Sequence, residues 1–109
     1  MVYGQFLRQE DDKLPTNNWK NKKGTADRRC KCGSWKKHWE KFSEQPWPDE
    51  CSVEGCTSAP ELGGHVINPS VSGEWIVPLC DACNKREGVF SLKRGVVLIK
   101  ANRSETCGE

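Results

Sequence analysis

The clearest hydrophobic pattern in the chain is Trp35, His38, Trp39 and Phe42, which fall at i, i+3, i+4 and i+7. That spacing lines one face of an amphipathic helix of about ten residues. Ser34 stands where a helix cap is expected, with Lys37 rather than a glutamate three positions on, so there is no capping box. "PWPDE" ends the helix, because Pro46 and Pro48 cannot continue it and each pushes its predecessor toward extended geometry. Further on, "HVIN" and "EWIVPLC" read as two strands joined by the turn-rich "PSVSG". A short helix is expected from Asp81 to about Glu87, with Gly88 as its stop. "VFSLKRGVVLIKA" then reads as a hairpin turning at Arg94-Gly95. By contrast, residues 1–28 are polar without a sustained period and read as an arm, weakly ordered at most. Residues 29–109 are expected to form one α+β domain.

Length and composition narrow the function classes. At 109 residues, with 35 % hydrophobic positions, a single small core is marginal and a staple is expected. No run reaches the ~18 apolar residues of a membrane helix, so no membrane partner is expected. The first residues, "MVYGQFLRQEDDKLP", carry none of the regions of a secretory signal, which points to the cytoplasm. In a reducing compartment seven cysteines point to metal rather than to disulfides, and the odd count adds to that. The formal charge is +2, and one four-thiolate zinc site would bring it to about 0. Charge is nevertheless uneven. Residues 19–41 hold nine Lys/Arg against Asp27 and Glu40, with Trp19, Trp35 and Trp39 interleaved. Lys20, Lys22, Lys23, Arg28, Arg29, Lys36 and Lys37 are therefore candidate nucleic-acid contacts, on the expectation that cations neutralise phosphate while an exposed indole stacks on bases. The competing reading makes Trp35 and Trp39 core residues and the lysines a solvated helix face.

The cysteines carry the chemistry. Cys51 and Cys56 bracket a short turn containing Gly55, and after 23 intervening residues Cys80 and Cys83 open the short helix. A turn and a helix start both aim backbone N–H groups at sulfur, which favours thiolate. Together they make a closed tetrahedral site for one Zn²⁺. A buried cysteine can also serve as a small apolar side chain. A redox reading of "CDAC" would need a longer helix and a parallel βαβ sheet, for which there is no room. Cys30, Cys32, His38 and Cys107 form a possible second zinc site, with His65 as a rival ligand; otherwise His38 packs on its helix face and the three thiols are free.

The order of knuckle, two strands and a helix bearing the second cysteine pair resembles the HNH-type treble-clef (ββα) zinc finger over residues 51–88. "GGHVIN" stands at that family's Asp-His strand and "IVPLCDACNK" at its Leu-Cys-x2-Cys-His segment. The combination "CGSWKKHWEKFS…CSVEGC…GGHV…WIVPLCDACN" is similar to small bacterial and phage proteins carrying this finger. The resemblance implies a zinc-stapled fold and, in the nucleases of the family, a general-base histidine at His65 and a metal contact at Asn84. It also implies an acidic metal ligand where this chain has Gly64, and a central asparagine where it has Trp75. Without an anionic oxygen ligand Mg²⁺ binding is weak and phosphodiester hydrolysis loses its Lewis acid. A zinc-stabilised binding module for nucleic acid or for a phage or host protein is thus expected over an HNH-type endonuclease or a purely structural accessory protein.

Overall fold

A computed structural model of the chain describes residues 14–23 and 33–101. In chain order the elements are β1 (Lys20–Asn21), α1 (Trp35–Ser43), β2 (Leu62–Asn68), β3 (Val71–Leu79), α2 (Asp81–Asn84) and β4 (Ile99–Lys100). The strands make one antiparallel sheet in the order β1-β2-β3-β4. The class is α+β.

The β2–β3 hairpin is the centre of the molecule. It runs from Leu62↔Leu79 to Asn68↔Val71, and the Asn68 side chain accepts from the Ser70 N–H at 2.9 Å to shape the turn. The turn is tighter than "PSVSG" suggests, because Val71 to Gly73 already belong to β3. Strand alternation then sorts the apolar side chains onto two faces. Val66, Trp75, Val77 and Leu79 face a core shared with Cys51, Val53, Cys80, Cys83, Phe90 and Leu92. Ile76 and Ile99 face the other way, against Trp39 and partly buried Trp35, Phe42 and Trp47 of the α1 layer.

Helix α1 forms as its periodicity predicts. The Ser34 hydroxyl accepts from the Lys37 N–H at 3.1 Å, and the helix ends where Glu44 turns left-handed at φ 58°. His38 and Trp39 are buried on its inner face. The close seating of both helical layers depends on Gly63 and Gly64. A Cβ at Gly63 would lie 2.8 Å from the backbone carbonyl of Trp35, and one at Gly64 would lie 2.4 Å from Leu79 Cδ1 and 2.8 Å from Asn84 Oδ1.

Three expectations are corrected. First, residues 14–23 are part of the fold rather than an arm. Trp19 is fully buried, its indole N–H donates to Pro15 O at 2.8 Å, and its backbone pairs with Phe90. The burial of one large ring outweighs the polar composition around it. Second, residues 89–101 are not a hairpin. The chain does turn at Lys93–Val96, but Phe90 and Leu92 bridge Trp19 and Val53, while Ile99–Lys100 pairs with Trp75 and Ile76. Each arm finds its hydrogen-bond partner in a different part of the domain. Third, α2 stops at Asn84 rather than near Glu87, because the Asn21 side-chain amide takes the Cys83 and Arg86 carbonyls, both at 2.9 Å.

Candidate metal centre

Two local structures bring four thiols to one point. In the knuckle, Cys56 N–H donates to Val53 O at 3.0 Å, and Gly55 takes φ +87°, a conformation that favours glycine. Val53 and Leu92 bridge across it, so the turn is fastened to the strand-like segment 90–92. In the second half, β3 delivers Cys80 to the start of α2, where it caps the helix and its sulfur accepts from the Cys83 N–H at 3.4 Å. One helical turn places Cys83 beside it.

The Sγ atoms of Cys51, Cys56, Cys80 and Cys83 all lie within 4.8 Å of one another, and all four are free thiols. Four sulfurs at ~2.3 Å from a shared Zn²⁺ in a tetrahedron would stand about 3.8 Å apart. Cys56 Sγ and Cys80 Sγ are 3.8 Å apart. Cys51, Cys80 and Cys83 are buried and Cys56 is half-buried, so the site is closed toward the core and supplies all four positions itself.

The surrounding backbone is arranged for thiolates. The Cys80 N–H donates to Cys51 Sγ at 3.4 Å, and the Val53 N–H also points at that sulfur. The Ser58 N–H, helped by neighbouring thiols, holds Cys56 down at about 7. Burial pushes Cys51 up despite its donors, and burial together with the hydrogen bonds its thiol gives to the other sulfurs pushes Cys83 up as well. Charge crowding of this kind keeps several thiolates from coexisting, and a divalent cation removes the conflict.

The other candidate residues fall elsewhere. His65 is buried on the α1 side, its ring edge-on to Trp35 at 4.5 Å between centroids. Asn84 reaches Gly64 on the opposite face of β2. The strand histidine and the helix asparagine are therefore separated by the sheet. An acid at position 64 would have to displace Leu79. His38 is fully buried between Trp35 and Phe42, and its Nε2 lies 2.8 Å from Lys100 O. A carbonyl only accepts, so that nitrogen carries the proton. Cys30, Cys32, Cys107, Arg28 and Arg29 lie outside the described residues.

The tryptophans have structural roles. Trp19, Trp39 and Trp75 are buried, and Trp39 donates to Val97 O at 2.8 Å. Trp47 is half-buried edge-on to Trp39 and donates to Pro60 O at 3.0 Å, with Lys36 5.0 Å above its ring. Trp35 is half-buried between the two histidines. Three of the five tryptophans are thus buried in the core and the other two are packed edge-on against neighbouring rings. Lys20 is exposed on β1, Lys23 pairs with Glu87 at 3.4 Å, and Lys37 is exposed on α1. The residue that sequence reasoning missed is Asn21, which ties β1 to the helix carrying Cys83. A lone asparagine between lysines gives no signal of that task. No protein-family model, curated protein or solved structure matches the chain.

Proposed function

We propose that the chain is a zinc-stabilised treble-clef binding module for an anionic partner, with nucleic acid as the partner class. The convergence of Cys51, Cys56, Cys80 and Cys83 carries the reading. Thiolate donors in a closed tetrahedron select Zn²⁺ over the oxygen-seeking Mg²⁺. The treble clef is supported by the order of parts: knuckle, β2–β3 hairpin, then a helix that begins between the second pair of ligands.

A nuclease is the weaker reading. His65 is covered by α1 and lies across the sheet from Asn84, so the two do not frame one water or one phosphate. Anion binding draws its support from Lys20, Lys22 and Lys23 on and just after edge strand β1, with Arg86 close by on the carbonyl that Asn21 holds. With three indoles buried and Trp35 and Trp47 engaged in ring contacts, charge rather than stacking is the proposed source of affinity. Fluorescence anisotropy with a single-stranded DNA and an RNA of the same sequence tests this. Binding should weaken at least tenfold between 50 and 200 mM KCl, since a few phosphate contacts already give that slope. Lys20→Glu with Lys22→Glu should abolish it while zinc content is unchanged. Absence of binding to either oligonucleotide at low salt rejects the nucleic-acid reading and leaves the acidic-protein alternative.

A further inference from the structure

The knuckle that presents Cys51 and Cys56 is held shut by a residue outside the 51–88 segment. The main-chain N–H of Lys93 donates to Ser52 O at 2.9 Å. The ammonium of the same residue donates to Cys56 O at 2.6 Å and to Glu50 Oε1 at 2.9 Å. Lys93 thus grips both ends of the turn at once, next to the first ligand and on the second. Glu54 N–H continues the attachment by donating to Ser91 O at 2.9 Å. The Lys93 side chain is 29 % exposed and Glu50 54 %, so the ammonium is partly withdrawn from water while its carboxylate partner stays at the rim.

We propose that Lys93 is a positioning residue for the metal centre: its ammonium fixes the Cys56 carbonyl, keeps the two knuckle sulfurs convergent, and offsets the negative charge of the loaded site. The inference rests on the reading that the tetrad binds zinc. Four thiolates around Zn²⁺ carry a net −2, and a cation beside one ligand's own backbone lowers the cost of gathering that charge. A short charge-assisted N–H···O bond also fixes direction better than a neutral one. Glu50 accepts from the same ammonium at 2.9 Å and favours its position over the turn. A neutral side chain at position 93 would keep the Ser52 bond, which is main-chain, and lose the Cys56 bond.

The test is zinc affinity measured by competition with a chromophoric chelator on the full chain, for the parent, Lys93→Met, Lys93→Arg and Ile99→Val. Outer partners of ligands are worth about 10–100-fold in metal affinity, so Lys93→Met should weaken zinc binding by that factor. Lys93→Arg, which keeps charge and donors, should recover most of it. Ile99→Val loosens the α1 face of the sheet and should leave affinity within about threefold of the parent, far below that outer-partner effect. Lys93→Met within about threefold of the parent would overturn the proposal, since an outer partner should exceed that margin. An equal loss in Ile99→Val would also overturn it, by showing that affinity merely follows global stability. A parent that takes up no zinc would overturn the metal reading itself, and this inference with it.

Discussion

Gly63→Ala isolates the packing of α1 on the sheet. The added methyl would lie 2.8 Å from both the carbonyl carbon and the oxygen of Trp35 and 2.9 Å from Ile76 Cγ2. Two of those three atoms are backbone at the start of α1, and the third is a buried β-branched side chain, so none can step aside cheaply. Overpacking a closed site costs about 1–3 kcal/mol, and a two-sided clash with backbone belongs at the upper end. For a domain of this size each kcal/mol lowers Tm by about 4–8 °C, so ~3 kcal/mol corresponds to roughly 12–24 °C. The comparison is Gly95→Ala. That residue has φ +83° and open space around the site of a Cβ, so it pays only the left-handed backbone cost of about 1–2 kcal/mol. Both variants are measured by thermal denaturation of the zinc-loaded chain, with zinc content checked in parallel. Gly63→Ala should melt roughly 4–16 °C below Gly95→Ala, the difference of about 1–2 kcal/mol between the two costs, and still hold its zinc in the cold, because the tetrad lies on the other face. If Gly63→Ala melts at or above Gly95→Ala, the close approach of α1 to β2 is wrong.

Two further outcomes follow from burial and charge. Trp19→Ala should cost about 3–5 kcal/mol by chemical denaturation, the range for emptying a fully buried tryptophan site; a loss under 1 kcal/mol would return residues 14–23 to the status of an arm. Zinc affinity should fall steeply with acid. Ligation needs thiolates, burial raises Cys51 and Cys83, and Cys56 titrates at about 7, so below pH 7 each zinc displaces at least three protons. Apparent affinity then drops ~10³-fold or more per pH unit, with full binding on the alkaline side and loss as pH falls. Affinity that is flat between pH 5 and 7 would mean that the thiols are not the ligands.

What could be read from the sequence was what is local. The i, i+3, i+4, i+7 face of α1, its Ser34 cap and the pairing of Cys51 with Cys56 and of Cys80 with Cys83 all sit within a few residues of each other. Periodicity and spacing report such features directly. The non-local ones left no such trace. Trp19 meets Phe90 across most of the chain, and nothing in "TNNWKNKK" says that its tryptophan is a core residue. The turn at Arg94-Gly95 was legible, but turn residues do not say whether the flanking arms pair with each other. Here the competing partners, Trp19 and Val53 for one arm and β3 for the other, win. Whether His65 is covered depends on which face α1 takes, and α1 comes close where Gly63 lacks a Cβ, a contact made only in three dimensions. Reading Gly64 only as a missing acid overlooked that its missing Cβ is what lets Leu79 and Asn84 close in.

The central claim is that Cys51, Cys56, Cys80 and Cys83 hold one zinc ion that staples the domain. Native mass spectrometry of the full chain, compared with the Cys51→Ser/Cys80→Ser double variant, tests it most directly, because the difference counts this site whatever else the chain binds. Structural zinc contributes on the order of 10 kcal/mol to folding in small fingers, comparable to the whole stability of a small domain. The account therefore predicts that the double variant carries one zinc fewer per chain and shows the broad, high charge-state distribution of an unfolded protein. An equal zinc count in the two proteins, with a compact charge-state distribution in both, would contradict it.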